Sequence, residues 1–204
     1  MMNALIRMGS FLIVISIMSC TKYEKTFYDS GKLKEKYEVN EGGKKNGKYY
    51  RYFENGVVAE ETIYIDNEQN GIRKIFFEDG NLEYTATYVN GLLHGPRKVY
   101  YPSGKLRVDS NYKDNKLIGP FYKYHENGKL AEEVTFVDGN ENGPFIEYYD
   151  NGVVKWKGQY LNGDHEFGLL EHFDVNGKLI KKMQCDSLGV CTTIWKEEEN
   201  ITKG

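Results

Sequence analysis

The sequence predicts an all-β fold: an elongated, single-layer antiparallel meander of repeated β-hairpins, about 24 residues per repeat. Three observations carry this. Tyrosine (17), phenylalanine (10) and glycine (22) are abundant and proline (4) is scarce, a balance of strand-favouring rings and turn-forming residues. Glycines recur at 31, 56, 80, 104, 128, 152 and 177, every 24 or 25 residues, and a fixed period in the twenties marks a repeat array. Ring stripes fall on both faces of the expected strands, with Lys, Glu and Asn between them, whereas a sandwich needs one strongly apolar face per strand.

Residues 1–19 stand apart from that sheet. Arg7 precedes the apolar run from Phe11 to Met18, which is shorter than the ~20 residues a spanning helix needs and reads as a secretory signal peptide. Its end, Ile17-Met18-Ser19-Cys20, resembles a bacterial lipobox. That resemblance implies cleavage before Cys20 and lipidation of Cys20, hence a membrane held through an N-terminal lipid and an address in the cell envelope. Several acyl chains on one residue anchor stably where one chain is marginal. The alternative is an ordinary leader with a chance cysteine. Residues 20–26 then form the anchor and a polar linker.

Residues 27–181 are the repeat domain. Its copies are Phe27 to Leu33, Tyr52 to Val58, Phe76 to Leu82, Tyr100 to Leu106, Tyr124 to Leu130, Tyr148 to Val154, and His172 to Leu179 with one extra residue. A second series, Gly47, Gly71, Gly95, Gly119, Gly143 and Gly168, lies between, with Pro96, Pro120 and Pro144 following three of them. Taken as turns, both series give each repeat two strands and two turns, and the domain about fourteen strands. Asn55-Gly56, Asp79-Gly80, Asn127-Gly128 and Asn151-Gly152 predict two-residue type I′ loops. These loops place Phe53 opposite Val58, Arg51 opposite Glu60, His125 opposite Leu130 and Lys123 opposite Glu132.

In that register the second ring of each copy (Tyr28, Phe53, Phe77, Tyr101, Tyr149) shares a face with Leu33, Val58, Leu82, Leu106 and Val154. The first rings, Tyr52, Phe76, Tyr100, Tyr124 and Tyr148, make a stripe on the other face and are the candidate interaction surface. A further ring column runs through Tyr64, Tyr88, Tyr112, Phe136 and Tyr160. Residues 182–204 form a capping hairpin and charged tail. Cys185 and Cys191 flank a five-residue loop that would bring them within disulfide reach; a bonded pair and two reduced thiols both remain open. The tail Lys196-Glu197-Glu198-Glu199-Asn200 would blunt the last strand edge.

The unit Gly95-Pro96-Arg97-Lys98-Val99-Tyr100-Tyr101-Pro102-Ser103-Gly104-Lys105-Leu106, repeated from Gly143 to Val154, resembles the MORN-repeat variant. The chain looks like bacterial antitoxin components of the YwqK type. The resemblance implies a β-hairpin array, an association with toxin–antitoxin systems and use as a protein or membrane-surface interaction scaffold. It implies no catalytic residues. The Pro-aromatic step at Gly119-Pro120-Phe121 and Gly143-Pro144-Phe145 departs to Arg97 after Gly95-Pro96 and to Ile72 after Gly71.

No enzyme, metal or cofactor is expected. His94, His125, His165 and His172 occupy repeat positions held elsewhere by Asn, Tyr or loop residues, without a ligand spacing. A net charge of -3 argues against nucleic acid, which calls for a clustered basic footprint. Lys32, Lys34, Lys36, Lys44 and Lys45 interleave with Glu35, Glu38 and Glu41, so solvated charge is the plainer reading than anionic lipid. A glycan would rest only on rings beside lysines. The expected function is a non-enzymatic, lipid-anchored envelope scaffold for an unidentified protein partner. The alternative is an antitoxin that neutralises a partner toxin by direct binding.

Overall fold

A computed structural model describes residues 22–163 and 165–197. Cys20, the leader and the tail from Glu198 onward lie outside the described residues. The strands are β1 (Lys22–Phe27), β2 (Leu33–Val39), β3 (Lys45–Tyr52), β4 (Val58–Ile65), β5 (Glu68–Gln69), β6 (Gly71–Phe76), β7 (Leu82–Val89) and β8 (Leu92–Tyr100), then β9 (Leu106–Lys113), β10 (Lys116–Tyr124), β11 (Leu130–Val137), β12 (Asn140–Tyr148), β13 (Val154–Tyr160), β14 (Glu166–Phe173), β15 (Leu179–Cys185) and β16 (Cys191–Lys196). They form one 16-stranded sheet in which each strand pairs with its sequence neighbours, β5 attaching to β4 beside the main path. The expected meander is therefore the fold. The two strands beyond fourteen are the cap's β16 and the short β5. Fifteen strands in file, at about 4.8 Å each, make a ribbon roughly 67 Å long.

The turns at the periodic glycines differ from the expected type. Gly56 N–H donates to the Phe53 carbonyl at 2.9 Å and Phe53 N–H to the Val57 carbonyl at 2.8 Å. Asn55 keeps a negative φ and only Gly56 is positive, at 89°. This is a three-residue loop, a type I turn closed by a glycine bulge. The same pair of bonds recurs at all seven glycines. Asn55 is there for its side chain: its Oδ1 accepts from Val57 N–H at 2.9 Å, the local bond that makes Asn a turn residue.

The corrected loop changes the register. Tyr52, not Phe53, stands opposite Val58, and Tyr124, not His125, opposite Leu130, while Arg51↔Glu60 and Lys123↔Glu132 pair as expected. Both hold because one residue on each return strand, Ala59 or Ala131, is bulged out between the two pairs. The first rings therefore share a face with Leu33, Val58, Leu82, Leu106 and Val154, and the second rings do not. In the seventh copy Phe173 opposes Leu179, so Phe173 holds the first-ring place and the turn has no extra residue. The additional residue lies near 161–165, where Leu161 N–H reaches the His165 carbonyl.

The second glycine series is not a set of turns. Gly47, Gly71, Gly95, Gly119, Gly143 and Gly168 begin or lie within strands, at places where the ladder register slips by two. Gly95 has φ 111°, a bulge conformation that an L side chain resists. Pro96, Pro120 and Pro144 follow inside β8, β10 and β12, where the bulge tolerates a missing N–H. The true turns at this rim are Asp66-Asn67, Asn90-Gly91, Asp114-Asn115 and Asp138-Gly139, each with two positive φ values between directly paired residues such as Val89 and Leu92. These are the type I′ loops: they lie four residues ahead of the second glycine series, which was expected to make the turns, and at the opposite rim from Asn55-Gly56, where the type I′ geometry was expected.

The two faces of the sheet are unlike. Among the described residues, apart from the bulged Ala59, every buried residue (Val39, Tyr49, Glu60, Thr62, Ala86, Ser110, Val134, Phe145, Leu170, Cys185) lies on one face by the pairing register, here the covered face. Its centre is an apolar cluster of Val134, Phe145, Leu170 and Cys185, flanked by Phe121, Phe136, Trp156, Tyr160 and Met183. The other, open face carries the exposed Ile63, Ile72, Val89, Val137 and Leu169.

Candidate functional site

The open face is built in three parallel rows that cross the strands. Along one rim runs an apolar strip in which cross-strand pairs alternate ring and aliphatic: Phe27↔Leu33, Tyr52↔Val58, Phe76↔Leu82, Tyr100↔Leu106, Tyr124↔Leu130, Tyr148↔Val154 and Phe173↔Leu179. Directly opposed ring and aliphatic side chains stabilise the ladder by a few tenths of a kcal/mol to ~1 kcal/mol each. All five candidate residues, Tyr52, Phe76, Tyr100, Tyr124 and Tyr148, fall in this strip, half-buried. Successive rings sit two strands apart, about 10 Å. Burial raises the hydroxyl pKa of Tyr52, Tyr124 and Tyr148 above the ordinary tyrosine value, and Tyr148 donates to Glu133 Oε1 at 3.0 Å.

The middle row is ionic. Lys74 pairs with Glu61 at 3.3 Å, Lys98 with Asp109 at 3.3 Å, and Glu171 with both Lys157 at 2.7 Å and Lys182 at 3.1 Å. The hydrogen bond from Lys157 holds the Glu171 carboxyl below the usual carboxylate range. Paired exposed charges add little stability, but they keep the row wet and fix its pattern. The third row, Ile72↔Thr87, Pro96↔Asn111, Pro120↔Thr135 and Pro144↔Gln159, contributes stiff, exposed edges. Shallow grooves run between the rows; one, about 390 Å³, is lined by Pro144, Ile146, Lys157, Gln159, Leu169 and Glu171. Sequence reasoning missed this proline row because it read those prolines as turn residues.

The second rings serve the rim. Tyr28, Tyr101 and Tyr149 hydroxyls donate to the carbonyls of Tyr52, Tyr124 and Phe173, at 2.6, 2.7 and 2.9 Å, and His125 Nε2 meets the Tyr148 carbonyl at 2.9 Å. Each bond ties one repeat to the next, 23 or 24 residues on. Asn55, Asn127 and Asn151 add a second tie, donating to the Glu78, Asp150 and Val175 carbonyls.

On the covered face the third ring column divides. Phe121 meets Phe136 at 5.7 Å and Phe145 stacks on Tyr160 at 4.5 Å. Towards the N-terminus the rings meet cations: Arg97 lies 5.4 Å from the Tyr84 centroid and 5.9 Å from Tyr112. Buried Glu60 lies between Arg51 at 3.3 Å and Arg73 at 2.8 Å. Burial pushes the Tyr84 hydroxyl up to about 12 and those of Tyr49, Tyr64 and Tyr160 upward as well.

Cys185 and Cys191 are joined by a disulfide across the last hairpin. Glu166 lies beside them, and the three potential ligand atoms fall within 4.8 Å of one another, but bonded sulfurs present no thiolate to a metal. His94 Nδ1 meets Asp114 Oδ1 at 3.1 Å at the type I′ rim, and His172 stacks flat on Trp156 at 4.0 Å. His165 packs near Gly189, so His165 and His172 stand at opposite ends of β14.

A family model described as MORN repeat variant matches residues 22–41, 45–66, 69–90, 93–114, 117–138 and 141–162. Each full match of 22 residues spans one hairpin with its glycine turn and stops at the first residue of the opposite turn. No curated protein matches the chain.

Proposed function

We propose a binding function for this chain, which belongs to the MORN repeat variant family, the matched repeats covering more than half of its residues. It is a non-enzymatic scaffold, lipid-anchored through Cys20 in the cell envelope, that presents the open face to a protein partner. The observation that carries this reading is the alternating ring–aliphatic strip beside a fixed row of ion pairs. Tyrosine and other rings dominate the energetics of protein interfaces, and charge rows set register and exclude wrong partners. The lipobox-like Ile17-Met18-Ser19-Cys20 supports the anchor.

Metabolic labelling with palmitate followed by fractionation tests the address: label in the membrane fraction is expected, lost in Cys20→Ser, whereas unlabelled protein in the cytoplasm would overturn it. Site-specific photo-crosslinkers at Tyr100 and Tyr124 test the surface. A discrete adduct is expected from these positions and not from exposed Asn81 at the rim; equal or absent adducts would sink the open-face assignment. The second reading, an antitoxin that neutralises a partner toxin, is favoured by the YwqK-like unit from Gly143 to Val154. It calls for the protein to be cytoplasmic, so the same fractionation separates the two.

A further inference from the structure

Three tyrosines on the covered face enclose one ammonium. Lys45 Nζ lies 4.6 Å from the ring centroid of Tyr37, 4.6 Å from that of Tyr49 and 5.3 Å from that of Tyr64. The walls have the shape of a cage: Tyr37 and Tyr49 are close to parallel (25°, centroids 6.1 Å apart), and Tyr64 stands nearly edge-on to Tyr49 (69°, 5.5 Å). Tyr49 is held by its hydroxyl, which donates to Glu35 Oε1 at 2.7 Å, and is buried. Among the described residues no carboxylate pairs with Lys45, so the rings are what hold its charge.

Two of the three walls and the occupant are departures from the repeat. The position of Tyr37 is held in later copies by Thr62, Ala86, Ser110, Val134 and Gly158; that of Tyr49 by Arg73, Arg97, Phe121 and Phe145; and that of Lys45 by Gln69, Leu93, Leu117 and Glu141. Tyr64 belongs to the periodic ring column. In a repeat sheet the shared residues build the array. Here three unshared residues from β2 and β3 converge on one spot, which array building alone does not require.

We infer that Tyr37, Tyr49 and Tyr64 form a binding site for a soft organic cation, a trimethylammonium group, in which Lys45 is a tethered stand-in for the ligand. Ring faces attract cations through their quadrupole. A primary ammonium is strongly hydrated and wants hydrogen-bond acceptors, which this cage does not supply to Lys45. A methylated ammonium is weakly hydrated and spreads its charge over methyl groups that fit ring faces, the arrangement that aromatic cages use. Lys45 is only partly buried and starts its strand beside the loop glycines Gly42 and Gly43, so it can swing out. As a tethered competitor it weakens binding of a free ligand, as any intramolecular occupant does.

The test is an NMR titration of the full chain with choline chloride, with the neutral isostere 3,3-dimethylbutan-1-ol as the control for charge. Choline is expected to shift the ring signals of Tyr37, Tyr49 and Tyr64, the isostere to leave them in place, and Lys45→Ala to tighten choline binding by about tenfold. Tyr37→Leu and Tyr64→Leu, each in the Lys45→Ala background, should abolish the gain; both avoid the buried Tyr49, and Lys45→Met serves if Lys45→Ala does not fold. Phosphatidylcholine vesicles against phosphatidylglycerol vesicles separate a lipid head group from a free metabolite: retention on the former alone identifies the lipid, and binding of free choline alone identifies a soluble ligand. Equal shifts from choline and the isostere, or a folded Lys45→Ala chain that binds neither choline nor phosphatidylcholine, would overturn the inference.

Discussion

The N-terminal and C-terminal halves of the covered face are made by the same hairpin and filled by opposite chemistry. From Phe121 onward the central positions carry Phe121, Val134, Phe145, Gly158 and Leu170, and these close into the apolar cluster that ends on Cys185. From Tyr49 to Ser110 the equivalent positions carry Tyr49, Thr62, Arg73, Ala86, Arg97 and Ser110. There, guanidinium and ammonium groups lie against tyrosine rings, and Glu60 is buried between Arg51 and Arg73. The backbone frame tolerates both because the hydrogen-bond ladder, continuous through both halves, sets the spacing of the strands whatever side chains fill the central row. One half holds by burial, the other by charge and ring faces.

The largest effect should come from the apolar half. Phe145 is 3% exposed and stacked on Tyr160, so Phe145→Ala should cost about 3–4 kcal/mol in urea melts, and insensitivity to this change would dissolve the contrast. In the ionic half, Glu60→Ala leaves Arg51 and Arg73 facing each other. Both arginines keep contact with water, at 35% and 27% exposure, so the loss should be about 2 kcal/mol, below the range for a fully buried pair. It should also shift with added salt, which the Phe145 effect should not do.

Smaller changes sharpen the boundary. Gly158 is a packing glycine: a Cβ there would lie 3.0 Å from Leu170 Cγ and from Phe145 Cε1. Gly158→Ala should therefore destabilise by about 1–2 kcal/mol through overpacking, measured by thermal melting, and partial recovery in a Leu170→Val background would locate the strain. Thr62 shows the reverse. Its hydroxyl is buried with no partner among the described residues, so Thr62→Val should be neutral or stabilise by ~1 kcal/mol or less. A clear loss there would mean that the hydroxyl has a partner, such as an ordered water.

Much of this was legible from residues alone, and the misses have one cause. Both glycine series were visible, and both adopt positive φ, so local chemistry does not tell Gly56 in a turn from Gly95 in a bulge. The pairing tells them apart, because a bulge is defined by the strand across from it. Asn90-Gly91 and Asp138-Gly139 carry the type I′ signal, but Asn55-Gly56 carries it too and closes a type I turn with a bulge, so the dipeptide alone does not fix the turn type. The first-ring stripe was placed on one face, as found, but its aliphatic partners were assigned to the other; one bulged residue per return strand is enough to reverse that assignment.

By itself the sequence determined the class of the fold, the period, the seven turns of the first glycine series and the charge pairs Arg51–Glu60 and Lys123–Glu132, because these depend on spacing within one hairpin. Tertiary structure decided which face is covered, which rings meet cations and which meet rings, and that Tyr37, Lys45, Tyr49 and Tyr64 share one spot. Those contacts join side chains of successive strands across bulges, and a bulge of one or two residues changes which side chains meet, while the glycine that marks it has the same local chemistry as a turn glycine.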